Sequence, residues 1–551
     1  MKNIYFFTLI TFLIAIGNSY AQTENNISKK TDELISKYNE PNSPGLALSI
    51  FKNDSIIYKS AMGIANLEYN IPITTATPFH VGSISKQFTL FSILLLEQEG
   101  KLSIDDNIRK YIPELNDFGY KITLKNLANH TSGLRDISDL TNLSGVSDND
   151  TFTNEQAIKL LTNQKSINFI PGEKFEYCNS GYILLAEIVK RVSGKSLAEF
   201  ATERIFKPLK MNNSFFLDRS DKIIKNLAYS YYNENSTYHK NILNSTYVGS
   251  TGLITTVEDL SLWAQNFNTK TIGNDTIFNK MGEKSKLNNG EILSYALGQE
   301  VKNYKGFNVI FHGGGIASYR AYLLRIPEKN FSVSITSNDN DFNPLDIAYQ
   351  LIDYYLLNTE SEVTHIKIKK INKTILNTFI GDYEIFPGLI ITICRENETI
   401  YLQIKGDSEK TKLKLVNNYE FIYPNTPHSK IVFNKTNTSL KWYFSDFVYN
   451  GEKVQLKEFD KSKINLDEFV GEYYNAEVNT KYNFIIKNTT LVATHNKNQD
   501  INLILLQPDQ LISNQGFFGK IEIIRDEQNK VTGCYISGQR SKRILFEKLY
   551  K

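Results

Sequence analysis

The sequence predicts an α+β domain, an α/β sandwich with one antiparallel sheet flanked by helices, followed by two small all-β units, each a barrel or a sandwich. Three observations carry that prediction. β-rich runs near residues 45–62 and 307–337 bracket a long, helix-rich middle. Beyond about residue 360 the helical period disappears, and short apolar runs alternate with Asn, Gly and Asp turns. Finally, Leu376-x-x-Phe379-Ile380-Gly381-Asp382-Tyr383 recurs as Leu466-x-x-Phe469-Val470-Gly471-Glu472-Tyr473, and a repeat of that period implies two tandem units.

The elements follow in chain order. Residues 1–21 combine Lys2, an apolar run from Ile4 to Ile16, and Ser19-Tyr20-Ala21 at the end, which reads as a secretory signal peptide cleaved after Ala21. The run is shorter than the ~20 residues a membrane span needs, and no later stretch reaches ~18 apolar residues. Export to the periplasm or the extracellular space is the resulting expectation. Within a first domain, 22–360, residues 26–39 place Ile27, Leu34, Ile35 and Tyr38 at helical spacing. Gly45–Lys52 and Ser55–Met62 form a hairpin about Asn53-Asp54. A helix runs from Ser83 to Gln98 and stops at Gly100. Strands are expected at Phe307–His312, Tyr319–Ile326 and Phe331–Ser337, then a helix over Leu345–Leu357. Residues 364–372 read as a connector or first strand, and the two β-units occupy 373–460 and 463–551.

Composition removes several classes of function. With 41% hydrophobic and 22% charged residues in a chain of 551, the protein is neither disordered nor a multi-span membrane protein. Basic and acidic residues nearly balance, 62 against 59, and no basic stripe supports nucleic-acid binding. Seven histidines without H-E-x-x-H or clustered spacing point to no metal site, and no cofactor motif is present. Cys178, Cys394 and Cys534 form no C-x-x-C pair and no disulfide framework.

Chemistry concentrates in three places. Ser83-Ile84-Ser85-Lys86 is an S-x-x-K at a helix start, where residues i and i+3 share a face and the amine reaches the hydroxyl. The free N–H groups of a helix start favour a developing oxyanion, and a desolvated lysine can act as a base. A second S-x-x-K, Ser49–Lys52, lies in a strand, where i and i+3 point to opposite faces. Tyr177-Cys178-Asn179 sits in a turn-rich loop before an apolar helix, Ile183–Val192, and a tyrosine there is either a packing residue or a general base. Phe311-His312-Gly313-Gly314-Gly315 ends a β-run, where glycines allow a substrate backbone to approach and the histidine can donate a hydrogen bond.

Together with Pro44-Gly45-Leu46-Ala47, Gly100–Asp106, Leu127-Ala128-Asn129-His130-Thr131-Ser132-Gly133-Leu134 and Gly252–Leu260, these motifs resemble the serine β-lactamase/penicillin-binding-protein superfamily, on its class C-like branch. The resemblance covers roughly 30–358 and implies a β-lactamase/transpeptidase-like fold. It implies Ser83 as nucleophile, Lys86 as its activating partner, and Tyr177 as base in acylation and acid to the leaving group. Asn179 would bind the substrate amide, His312 stands where many relatives carry lysine, and Gly315, beside Gly314, would supply an oxyanion N–H together with Ser83. Gly313 lacks the hydroxyl of carboxylate-recognising relatives, and Cys178 replaces a commoner small residue as a packing group. The tandem β-units look like the lipocalin-like domains appended to some members.

The leading expectation is therefore an exported serine hydrolase that cleaves an amide or ester through an acyl-enzyme. D-amino-acid peptides, peptidoglycan stems, small esters and β-lactams are its candidate substrates. A non-catalytic sensor that binds peptidoglycan or β-lactams in the same cleft is the alternative. The β-units carry no catalytic set and are expected to act through access to the cleft or through contacts, oligomer formation among them.

Overall fold

Asn53 and Asp54 both take left-handed backbone angles (φ 49° and 69°), the conformation a tight two-residue hairpin turn demands. They close the hairpin of β1 (Leu46–Lys52) and β2 (Ser55–Met62). The computed structural model describes residues 26–357 and 373–550, apart from 148, 398, 425, 445 and 446. The expected signal peptide and the 364–372 connector lie outside these residues. Four later strands complete the sheet: β3 (Glu300–Tyr304), β4 (Phe307–Ile316), β5 (Tyr319–Ile326) and β6 (Phe331–Ser337). The order is β3-β4-β5-β6-β1-β2, antiparallel throughout, with Leu46 opposite Ser337 and Lys52 opposite Phe331. The two ends of the domain thus build one sheet. β3 escaped the sequence reading because only Val301 of its five residues is buried, as befits a polar edge strand. β4 runs four residues past its expected end, through all three glycines.

Strand alternation sorts the side chains of β1. Leu46, Leu48 and Ile50 pack with Val333, Ile335 and Ile35, under the helix Pro344–Ile352 and residues 26–36, which form α1. The opposite face meets the helix Val257–Thr269, where Ser49 and Ser261 hydroxyls lie 2.9 Å apart. A helical lobe, built on α2 (Ser85–Gln98), α3 (Ile137–Leu143) and α4 (Asn179–Ser193), covers one end of the sheet. No helix among the described residues is long and apolar enough to cross a membrane.

The two C-terminal units are closed eight-stranded antiparallel barrels, from Gly381–Phe386 to Phe447–Val454 and from Gly471–Asn475 to Ile544–Leu549. The repeated motif proves to be a closure device. Tyr383 and Tyr473 are both fully buried, and each hydroxyl donates to the carbonyl of the motif phenylalanine, Phe379 (3.0 Å) or Phe469 (2.8 Å). Gly381 and Gly471 take φ of 146° and 151°, values closed to other residues. Lys453 and Lys548 stand opposite those tyrosines on each barrel's last strand, their ammonium groups 5.5 and 5.7 Å from the ring centroids.

The barrels differ in what they touch. The first has an interior of its own, around Phe379, Tyr383, Phe421 and Phe433. It meets the second through Ile390 against Leu506 and Ile512, and through Lys520–Glu384 at 3.2 Å. The apolar interior of the second, including Tyr482, Phe518 and Phe546, is continuous with the helical lobe through Leu140 and Leu143 of α3.

Candidate active site

Glycine decides how closely two segments of this domain approach. A Cβ on Gly314 would lie 2.0 Å from the Val81 carbonyl oxygen, and one on Gly82 (φ 51°) would lie 2.7 Å from the Gly315 nitrogen. Strand β4 therefore lies directly against Val81–Ser83. Ser83 sits in a 3-10 turn, Gly82–Ile84, that runs straight into α2. Two bonds pin this turn: Ser85 Oγ donates to the Gly82 carbonyl (2.6 Å) and accepts from Leu253 N–H (3.0 Å). The turn's leading N–H groups have no intrahelical acceptor, and the Ser83 nitrogen and Gly315 share this corner.

One turn along, Lys86 is fully buried. Its Nζ lies 3.0 Å from Ser83 Oγ, 2.8 Å from Asn179 Oδ1 and 2.8 Å from the Ser250 carbonyl oxygen. Burial holds its pKa well below the usual lysine value; the Asp136 charge opposes this shift and the Arg540 charge adds to it. A neutral amine has two N–H bonds and one lone pair. The two carbonyl oxygens accept the N–H bonds, which leaves the lone pair for the Ser83 O–H.

Tyr177 contacts Ser83 through its hydroxyl, and its ring centroid is 4.9 Å from Lys86 Nζ. Burial raises its pKa, so the resting side chain is a phenol; the Ser83 hydrogen bond works in the other direction. The ring stacks 4.2 Å from His130, whose left-handed backbone (φ 61°) turns the chain beneath it and whose Nδ1 accepts from Cys178 N–H. Cys178 is buried, its thiol donating to the Leu134 carbonyl (3.3 Å) and pushed up to about 12 by burial, so it packs and is no nucleophile. His312 Nδ1 donates to the Gly313 carbonyl (2.6 Å), which leaves Nε2 to accept from the Tyr295 hydroxyl (3.1 Å). Burial takes its pKa down to about 3, so the imidazole is neutral and brings no charge to the site.

Ser83, Lys86, Tyr177 and Asn179 thus share one cluster, with Gly315 at its edge and His312 6.4 Å from Tyr177 between ring centroids. Gly314 serves the close approach of β4 to Val81. A cavity of about 320 Å³ opens on Ser83, lined also by Ser138, Asn179, Tyr247, Thr251 and Gly315, and none of its lining residues among those described is charged. The sequence reading assigned no role to several residues of the site. Asp136 accepts the Asn179 N–H at 2.5 Å, and Tyr295 holds His312. His130 lay within a quoted motif, but nothing in the string marked Asp136, Tyr295 or Arg540.

A serine hydroxyl 3.0 Å from a buried lysine amine, beside the Ser83 and Gly315 backbone nitrogens, defines a serine hydrolase of the acyl-transfer kind. Comparison narrows the class. Residues 31–354, more than half of the chain, match the family described as Beta-lactamase, and the chain belongs to that family. Penicillin-binding protein 4* of Bacillus subtilis (strain 168) is 28% identical over 378 residues, covering 64% of this chain and 82% of its own. A D-aminopeptidase of Brucella anthropi is 26% identical over 315 residues, and the match spans 57% of this chain and 59% of the aminopeptidase. Among solved structures, the octameric penicillin-binding protein homologue from Pyrococcus abyssi shares the fold with a TM-score of 0.56 at 24% identity, over 77% of this chain and 99% of that one.

Proposed function

We propose that this chain is an exported hydrolase that opens neutral amides and esters, D-amino-acid amides and peptides foremost, through an acyl-enzyme on Ser83. The observation that carries the reading is the buried Lys86 amine 3.0 Å from the Oγ of Ser83, which lines a cavity with no charged group among its described lining residues. Lys86 takes the Ser83 proton as Oγ attacks the carbonyl carbon. The N–H groups of Ser83 and Gly315 receive the oxyanion, and the Tyr177 phenol protonates the leaving nitrogen or oxygen as the bond to carbon breaks. Lys86 then returns its proton to the tyrosine. Water repeats the attack on the ester and frees Ser83.

Substrate choice follows from charge. A free carboxylate next to the scissile bond would leave water for a cavity with no lysine or arginine among its described lining residues, beside a histidine held neutral. The D-aminopeptidase relative supports D-configured substrates, and the Lys2, Ile4–Ile16 and Ser19–Ala21 pattern supports export. The test pairs a fluorophosphonate probe, mapped by peptide mass, with rates on a D-amino-acid amide, the matching D-dipeptide acid and a chromogenic β-lactam. Label on Ser83 and an amide rate at least about tenfold above the acid rate are expected. Absence of label at Ser83, or a preference for the acid, would refute the reading.

A further inference from the structure

The second barrel reaches the catalytic centre. The loop joining its last two strands, Val531–Ser537 and Ile544–Leu549, docks along the segment that precedes α3. Arg540 N–H donates to Asp139 Oδ2 (2.7 Å), and the Arg540 carbonyl accepts from Asp136 N–H (3.0 Å) and from Asn168 Nδ2 (2.9 Å). The guanidinium then lies 3.4 Å from Asp136 Oδ1. Asp136 is fully buried, and its other oxygen, Oδ2, holds the Asn179 N–H that opens α4. Asn179 Oδ1 in turn accepts from Lys86. A continuous line of contacts runs from the barrel through Asp136 and Asn179 to Lys86 and Ser83.

We infer that Arg540 is a positioning residue of the hydrolase site, supplied by the second barrel: by pairing with Asp136 it holds the carboxylate that orients Asn179 and, through it, Lys86. The inference rests on the hydrolase reading above. Geometry supplies the argument, and electrostatics agrees with it. The charged or titratable groups felt by Lys86 and Tyr177 are Asp136, Glu300, Cys178 and Arg540, with His130, His312, Tyr182 and Tyr295 packed around them. Burial keeps both histidines neutral. Arg540 is the cation of this set, and its charge lowers the pKa of both Lys86 and Tyr177. Asp136 acts in the opposite sense on both. Pairing the two therefore keeps a buried anion from trapping a proton on the catalytic amine.

Arg540 does not line the cavity, so it has no place in binding the substrate. That separates a positioning role from a recognition role in a measurement. In the full-length protein, Arg540→Met should lower kcat on a p-nitrophenyl ester about tenfold or more with KM little changed. The acid limb of kcat/KM should move to higher pH by about half a unit, because Lys86, whose neutral form the attack requires, loses a neighbouring positive charge. Arg540→Lys keeps a charge beside Asp136 and should hold the limb in place, which also serves if the methionine variant fails to fold. Lys542→Met removes a different docking contact, the ion pair with Glu176, and should leave the limb where it is. Overturning results are an unmoved limb and kcat in Arg540→Met, a rise in KM alone, identical behaviour of the lysine and methionine variants, or an equal shift in Lys542→Met. Fluorophosphonate labelling of the wild type at Ser83 keeps the two readings apart: without it the hydrolase reading fails, and with it only the role of Arg540 is at stake.

Discussion

Lys86 shows how a single side chain changes character with its surroundings. In water its amine is a cation; here burial, with no carboxylate among the described residues in direct contact, pushes its pKa well down and favours the neutral amine beside the hydroxyl it must deprotonate. Lys86→Ala and Tyr177→Phe should each lower kcat/KM by about 10² or more while circular dichroism stays native, the scale expected when a proton-transfer group is lost. Wild-type rates in either variant would remove that residue from the chemistry. Asp139 gives a second residue-scale effect. Burial raises its pKa to about 7, with Arg540 pulling the other way. A carboxyl raised on folding binds more protons in the native state, so stability falls as pH climbs from about 4 through 7. Melting temperatures should therefore drop over that range, and Asp139→Asn should flatten the drop and gain most at pH 8. Equal pH curves for the two proteins would contradict this. The S-x-x-K pair was legible because helix geometry alone brings i and i+3 together. Asp136 was not, because its importance lies in what the fold sets beside it.

At the scale of elements, the β4 glycines carry different burdens despite standing in a row. Gly314 faces the Val81 carbonyl at 2.0 Å from a would-be Cβ, whereas Gly313 would meet nothing nearer than the Tyr322 ring at 3.6 Å. Gly314→Ala should push Val81–Ser83 out of place and abolish acylation, while Gly313→Ala should keep the fold and most of the rate. Comparable activities in the two variants would refute the close-approach account. Elements with strong local signals were legible: the Asn53-Asp54 hairpin, β5, β6, and the repeated barrel motif whose tyrosines close each unit. β3 was not, because a half-exposed edge strand needs no apolar pattern and takes its place from its neighbour β4.

Across the whole molecule, the second barrel belongs to the hydrolase more than to the first barrel's kind of appendage. Arg135, almost wholly buried, donates to Glu477 (2.7 Å) and to the Lys542 and Arg543 carbonyls (3.2 and 3.1 Å). Tyr482 donates to the Leu143 carbonyl (3.0 Å). Cutting the chain after about residue 360 would strip Arg135, Asp136 and Asp139 of these partners and expose to water the apolar face of α3, Leu140 and Leu143, that the second barrel covers. The truncated protein should therefore lose activity on a small activated ester and on a bulky peptide alike, with a lower melting temperature. From sequence the β-units are expected to act through access to the cleft or through contacts, and this prediction specifies the contact; a truncated hydrolase with native rates on both substrates would contradict it. No sequence period announces such an interface, because its partners lie hundreds of residues apart.

The Asp139–Arg540 contact joins residues 401 positions apart in the chain. On a ribosome adding about 10 residues per second, roughly 40 s separate the two, longer than a small domain needs to fold. The nucleophile, its lysine and the sheet are all made before the arginine that completes their setting exists. A nascent hydrolase is thus born with its Ser83 motif in place and its proton machinery unfinished. With the role inferred for Arg540, full activity has to wait until the last strands of the second barrel are made, folded and docked, however early the domain that carries the chemistry takes shape.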